Sequence, residues 1–214
     1  MNDHANAVDN VLYLHGFNSH PGSAKAELTR RACEQARPRP RFIAPALSHH
    51  PGPAWQTAQE VMSTLQGRTM VIGSSMGGFL AMGLARTHEV ARVVLINPAV
   101  DPLQIALERM GSEFEHVETG EMFVIDESYA DALREQQAEV VNTDPFLVLL
   151  GSEDEILDYR QALERLEGSR FVINEGDDHG LSRYPELLST VLAHGGLTLP
   201  EDFNPVPSLS LLHI

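Results

Sequence analysis

The sequence predicts an α/β protein with a mostly parallel central sheet, helices on both faces and a small helical insertion. Three observations carry that prediction. Short apolar, β-branched runs alternate in regular order with stretches at helical spacing, the pattern of βα units. One helical stretch, Met76 to Ala85, is apolar all round, as suits a helix buried in the middle of a domain. The length of 214 residues, with 43% hydrophobic side chains, fits one compact domain, so residues 1–214 are read as a single unit.

Taken in order, Val11 to His15 reads as a strand, Ala24 to Ala36 as a helix and Arg41 to Ala44 as a second strand. Pro53 opens a helix with Ala54, Ala58, Val61 and Leu65 on one face, and Gly67 ends it. Thr69 to Gly73 is the third strand; the buried helix follows, then a strand at Val93 to Asn97. Beyond a long connection, Phe146 to Leu150 is again a strand. Asp158 with Gln161 makes a capping-box-like start to a helix carrying Tyr159, Leu163 and Leu166, ended by Gly168. Phe171 to Asn174 is the last strand, and Pro185 begins a final helix with Leu188, Val191 and Leu192 inward, closed by Gly195 and Gly196.

Two segments break the alternation. Residues 98–145 separate two strands by more than a loop should, and are expected to hold a helix near 102–110, a short hairpin around Glu121 to Ile125 and a helix near 129–139. Such an insertion is a candidate lid. The tail, residues 197–214, carries Pro200, Pro205 and Pro207 and ends in SLSLLHI; docking on its own domain is the expectation.

Charge narrows the partners. The formal net charge is -15, from 15 basic and 30 acidic side chains, and Lys25 is the sole lysine. A surface of that sign repels nucleic acid and anionic membranes, so neither is expected as a partner. Twelve acids lie within residues 101–144 beside only Arg109 and Arg134; they read as a solvated face. Cys33 is the one cysteine, and the start MNDHANAVDN lacks a basic run followed by an apolar one, which together point to the reducing cytoplasm. Apolar runs such as Phe146 to Leu150 are far shorter than the roughly 20 residues that span a bilayer.

The chemistry begins at Gly73-Ser74-Ser75-Met76-Gly77, a G-x-S-x-G pattern where the third strand turns into the buried helix. A turn this tight strains its central residue and needs small neighbours so that the hydroxyl projects at the rim. Ser75 occupies that centre; Ser74 would need a glycine where Ile72 stands. A serine hydroxyl is a weak nucleophile, so it requires a base, and the base an orienting acid, both on loops at the same sheet edge. Asp154 follows the strand 146–150 and His179 follows the strand 171–174. The chain order Ser, Asp, His is that of α/β-hydrolases. Glu155, Asp158, Asp177 and Asp178 are rival acids, and Asp154 is preferred because it lies just past the strand end. The second oxyanion donor is expected on the loop after the first strand, here His15-Gly16-Phe17. Backbone N–H groups of Phe17 and Met76 are therefore the candidate oxyanion hole, with Gly16 allowing close approach and His15 in a structural role.

The runs YLHGFNSHPGSAKA (Tyr13 to Ala26), IGSSMGG (Ile72 to Gly78), INPAVDP (Ile96 to Pro102), DEILDYRQA (Asp154 to Ala162) and DHG (Asp178 to Gly180) resemble the YqiA/YcfP-type esterase family of small α/β-hydrolases. The resemblance covers roughly residues 10–195. It implies a short α/β-hydrolase fold and an esterase acting on short acyl chains, with Ser75, Asp154 and His179 at the positions of the family's triad.

The expected reaction is acyl transfer through Ser75, without metal or organic cofactor. His49-His50 lacks a ligand pattern such as H-E-x-x-H and reads as a loop pair. Thioesterase or amidase chemistry on the same residues remains open, because function resides in the site and not the fold. So does a non-catalytic, hydrolase-like binding protein. A nucleotide-binding domain is disfavoured, since neither G-x-G-x-x-G nor G-x-x-x-x-G-K-[ST] occurs. Met110, Phe114, Phe123 and Tyr129 either line the substrate pocket or pack the insertion.

Overall fold

The structure, a computed structural model, describes residues 6–137 and 142–205. Its strands are β1 (Asn10–Leu14), β2 (Arg41–Ile43), β3 (Thr69–Ser74), β4 (Arg92–Ile96), β5 (Glu113–Glu115), β6 (Met122–Val124), β7 (Phe146–Gly151) and β8 (Arg170–Asn174). Its helices are α1 (Ala24–Gln35), α2 (Pro51–Thr64), α3 (Met76–Thr87), α4 (Pro102–Glu108), α5 (Glu127–Gln136), α6 (Tyr159–Arg165) and α7 (Tyr184–His194). Six strands form one sheet in the order β2-β1-β3-β4-β7-β8, parallel at every pairing, while β5 and β6 make a separate antiparallel hairpin.

The central strands are buried on both faces, and period-two alternation divides their side chains between two cores. Leu12, Leu14, Val71, Leu95 and Val148 pack beneath α2, α3 and α6. Val11, Tyr13, Ile72, Val94 and Leu149 pack on α1 and α7. The apolar helix α3 buries Gly77, Gly78, Phe79, Leu80, Ala81, Met82 and Leu84, which is why no polar face shows in its sequence.

Strand order also locates a crevice. The chain goes outward from β1 to β2 and then returns to the other side of β1 as β3, so the connections leaving β1 and β3 diverge. In open parallel sheets, that switch point at the carboxyl ends of the strands is where ligands bind. The loop Gly16–Phe17 and the turn at Ser75 both leave from it.

Element boundaries differ from the sequence reading in a few places. Helix α2 begins at Pro51, because the His50 ring Nδ1 accepts the Gly52 N–H at 3.3 Å and caps it. Its buried face is Pro51, Ala54, Ala58 and Met62, with Val61 and Leu65 only partly covered. The insertion holds the expected helix, hairpin and helix, but the hairpin pairs Glu113–Glu115 with Met122–Val124. In the tail, Leu197 is buried, Thr198 exchanges backbone hydrogen bonds with Arg37, and Arg31 donates to the carbonyls of Asn204 and Pro205. The terminal SLSLLHI lies outside the described residues, as do residues 138 and 139 of the expected second insertion helix.

Candidate active site

Ser75 sits between the last residue of β3 and the first of α3 with φ 53° and ψ -118°, in the positive-φ region that side chains rarely adopt. The turn holds because its flanks have no side chains. A Cβ on Gly73 would stand 2.3 Å from the Gly77 carbonyl oxygen, and one on Gly77 would stand 2.0 Å from that of Leu14. Backbone hydrogen bonds lock the serine in place: its N–H donates to Ile96 at 2.9 Å, and its carbonyl accepts from Gly78 at 2.9 Å and Ala99 at 3.0 Å. The Ser75 hydroxyl makes no capping bond to α3.

That hydroxyl instead faces His179, with Oγ 3.2 Å from Nε2. On the other side of the ring, Nδ1 lies 2.8 Å from Asp154 Oδ2. A carboxylate only accepts, so Nδ1 carries the proton and Nε2 is left as the acceptor for the serine O–H. The second Asp154 oxygen accepts the amides of Ile156 at 2.9 Å and Leu157 at 2.8 Å, and its side chain is only 1% exposed. Three donors thus fix the plane of the carboxylate. A hydroxyl, an imidazole and a carboxylate are hydrogen-bonded in series across loops after β3, β8 and β7.

The rival acids are employed elsewhere. Asp158 caps α6 by accepting the Arg160 amide at 3.0 Å. Glu155 meets the backbone N–H of His179 at 3.1 Å, not its ring, and that bond together with one from its own amide holds its carboxyl below the usual range. Asp177 is buried, which alone would raise its pKa. The Ser182 hydroxyl and the amides of Arg183, Ser182 and Asp178 outweigh burial and hold it below the ordinary carboxylate value. Asp178 is exposed.

The Phe17 and Met76 amides, from the β1 loop and the start of α3, have no backbone hydrogen-bond partner among the described residues. Gly16 brings the first loop close: a Cβ there would meet Ser75 Cβ at 3.2 Å and the Ser74 carbonyl oxygen at 3.3 Å. His15 is buried behind this loop. Its Nε2 accepts the Leu47 N–H at 3.1 Å, so Nδ1 carries the hydrogen bonded to the Gly16 carbonyl at 3.0 Å. Burial pushes its pKa down, with the Gly16 carbonyl partly opposing.

Two residues to which the sequence reading gave no role in the site hold the His179 loop. Asn97, 2% exposed and at φ 39°, donates from Nδ2 to the carbonyls of Asp178 and His179, both at 3.0 Å, and accepts the Gly151 N–H at 2.8 Å. Lys25 reaches from α1 to donate to the Gly180 carbonyl at 2.6 Å; burial lowers its pKa, and the charges of Asp178 and Asp177 oppose that. The only signals for them were a polar residue ending the strand Val93 to Asn97, inside the run INPAVDP, and the single lysine of the chain.

A cavity of about 330 Å³ opens beside Ser75 and His179. Phe17, Met76, Ala99, Phe114, Tyr129 and Leu157 give it an apolar wall. Phe114 and Tyr129 therefore line the pocket, while Phe123 is buried behind them and Met110 is outside the lining. Phe17 meets Phe114, Phe123 and Tyr129 edge-on, at 5.2, 5.6 and 6.3 Å between ring centroids, which seats the insertion on the loop after β1. His49 stacks on Phe123 at 4.0 Å and His50 caps α2. Among the described residues no three His, Cys, Asp or Glu side chains gather into a metal-ligating group, and no helix is long and apolar enough to cross a membrane.

A parallel sheet with a strained serine at its switch point and an Asp-His pair on the following loops defines an α/β-hydrolase fold, and solved structures share it. A protein from Agrobacterium vitis S4 superposes with TM-score 0.68 at 20% identity, over 86% of this chain and 87% of that one. The α/β-hydrolase domain-containing protein 10 from mouse gives 0.65 at 17% identity over 85% and 87%. Est1E from Butyrivibrio proteoclasticus gives 0.65 at 16% identity over 87% and 86%. Residues 10–194 match the model of the uncharacterised protein family UPF0227, and the chain belongs to that family, the YqiA/YcfP group.

Proposed function

We propose that the protein is a serine hydrolase that cleaves carboxylic esters of short acyl chains through an acyl-enzyme on Ser75. The observation that carries this reading is the hydrogen-bonded series Asp154, His179, Ser75 at the wall of an apolar cavity, with distances of 2.8 and 3.2 Å. The volume, about 330 Å³, lies at the small end of ligand pockets and favours a short chain.

His179 Nε2 takes the Ser75 proton as Oγ bonds to the ester carbonyl carbon, and the Phe17 and Met76 amides receive the oxyanion. As the intermediate collapses, the carbon–oxygen bond to the alcohol breaks and His179 delivers the proton to that oxygen. Water then adds to the acyl carbon while His179 accepts its proton; the bond to Oγ breaks, the acid leaves and Ser75 regains the hydrogen. Asp154 fixes the ring tautomer and stabilises the transient imidazolium. No step calls on a metal or organic cofactor, and the substrate partner is a small-molecule ester.

We assign the enzyme to the reducing cytoplasm. Its one cysteine, Cys33, is buried, and burial with a smaller contribution from Glu34 pushes the thiol up to about 12, the profile of an inert core side chain.

The test is labelling with a fluorophosphonate probe, mapped by mass spectrometry, beside hydrolysis of a butyrate ester. Adduct on Ser75 is expected in the wild type. Folded Ser75→Ala and His179→Ala variants are expected to lose turnover on the order of 10⁴-fold. A labelled wild type that keeps its turnover in Ser75→Ala would refute the nucleophile.

A further inference from the structure

Among the residues that line the cavity is an exposed arginine, Arg109. Pro102, Ile105 and Ala106 of α4 and Arg109, the residue that caps its carboxyl end, all line the cavity. Their spacing is i, i+3, i+4, i+7, a single stripe of the helix and its cap, so one face of this segment forms a wall of the cavity. The near end is anchored at the nucleophile, because the Ala99 amide donates to the Ser75 carbonyl at 3.0 Å just before α4 begins. From Pro102 to Arg109 the helix rises roughly 10 Å, a distance that an extended chain of about eight to nine carbons covers.

Arg109 is the one permanently charged side chain among the lining residues, and no acidic side chain lines the cavity. Among the described residues its guanidinium has no hydrogen-bonded or ion-paired partner, although the surrounding segment 101–144 holds twelve acids. The acids that share its helix are engaged otherwise: Asp101 caps α4 at the Gln104 amide, and Glu108 accepts from the Gln104 side chain at 2.8 Å. The Arg109 carbonyl accepts the Ser112 N–H at 2.9 Å, which fixes the root of the side chain between helix and hairpin. A planar fork of donors beside an apolar cavity matches a carboxylate.

We infer that the preferred substrate is an ester whose acyl chain ends in a carboxylate, a half-ester of a dicarboxylic acid of about eight to nine carbons, with Arg109 receiving the free carboxylate while Ser75 attacks the ester. The inference rests on the esterase reading and adds its substrate class. The net charge of -15 opposes an anion at long range, but that field is screened beyond about 8 Å at physiological salt, and inside the cavity the local cation decides. A purely structural account, in which Arg109 only favours the carboxyl end of α4, makes the charge of the substrate irrelevant.

The experiment measures kcat/KM for two nitrophenyl esters of equal chain length, octanoate and the suberate half-ester, in wild type and in Arg109→Gln and Arg109→Lys. Wild type is expected to prefer the half-ester. That selectivity ratio is expected to fall on the order of 10- to 100-fold in Arg109→Gln, with part of it kept in Arg109→Lys. Equal loss on both esters, or an unchanged ratio, overturns the inference and leaves the esterase reading standing. If neither ester is hydrolysed, the esterase reading fails on its own, and calorimetric titration of suberate decides the anion site. Binding that weakens at least tenfold in Arg109→Gln supports it, and no such difference overturns it.

Discussion

Asn97 holds His179 by its main chain. The amide nitrogen of Asn97 donates to the His179 carbonyl at 3.0 Å, while its oxygen accepts from Gly151, the last residue of β7. One buried side chain thereby ties the end of β4 to the loop that carries His179 and to the strand that leads to Asp154. Gly151 permits the contact, since a Cβ there would stand 2.5 Å from the Asp177 carbonyl oxygen.

Asn97→Ala removes three hydrogen bonds and leaves the Gly151 N–H and two carbonyls without this partner. The expected cost is about 1–3 kcal/mol of stability. Displacement of the imidazole is expected to lower kcat roughly 10- to 100-fold. Asn97→Gly relaxes the backbone at φ 39° yet loses the same bonds, so its kcat should fall alike. Thermal melting beside ester kinetics checks this; a glycine variant with wild-type kcat would show that only backbone strain matters at 97.

The two glycines of the turn and loop should answer substitution differently. A Cβ on Gly77 meets the Leu14 carbonyl oxygen at 2.0 Å, backbone against backbone in the middle of the sheet. Gly77→Ala is expected to destabilise the fold by about 1–3 kcal/mol or more. At Gly16 the nearest atom is Ser75 Cβ at 3.2 Å, a distance that a shift of a few tenths of an ångström relieves. Gly16→Ala should fold, with the shift moving the Phe17 amide and lowering kcat. Urea unfolding and kcat on the pair separate the two outcomes; equal stability losses would contradict the distances.

The ordering of strands and helices is readable because the buried strands are short apolar runs and most breaks carry glycine or proline. The serine turn is readable for a related reason: glycines at 73 and 77 leave a local trace of a backbone too close for side chains. Candidates for base and acid follow from their places after strands, but their 2.8 Å contact is made across 25 residues and only the fold brings it about. Three features leave little local trace. Strand β5 is Glu113-Phe114-Glu115, with both glutamates exposed, and its paired residues lie seven to eleven positions on. Helix α2 is capped by a histidine ring instead of the usual Ser, Thr, Asp or Asn. Asn97 bonds to residues 54, 81 and 82 positions away, so its importance is invisible in its own neighbourhood.

Acid should weaken the fold through His15. Burial lowers its pKa in the folded protein, while the unfolded chain keeps the ordinary value of 6.5. Below that value the unfolded state binds a proton that the folded state refuses, so unfolding is favoured progressively as pH drops from 6.5 through the folded pKa. The geometry explains the refusal: a protonated Nε2 would point a hydrogen at the Leu47 N–H. His194, whose pKa burial also lowers, adds in the same direction. His15→Gln is expected to be less stable than wild type at pH 8, with the gap in Tm narrowing as pH falls toward 5. A gap that stays constant over that range would remove His15 from the acid response.

Chain-length preference should be set by the insertion. Phe114 lines the cavity from the hairpin and leans edge-on against Phe17 at 5.2 Å, so it walls the cavity while bracing the loop that carries Phe17. Phe114→Leu preserves much of the brace and shortens the wall. Its expected effect is a shift of the optimum in a nitrophenyl ester series toward longer acyl chains, at a stability cost of about 1 kcal/mol. Phe114→Ala should shift the optimum further and also lower kcat, because Phe17 then loses the ring beside it. Should both variants keep the wild-type profile, the insertion would be a roof over the core with no part in selecting the acyl chain.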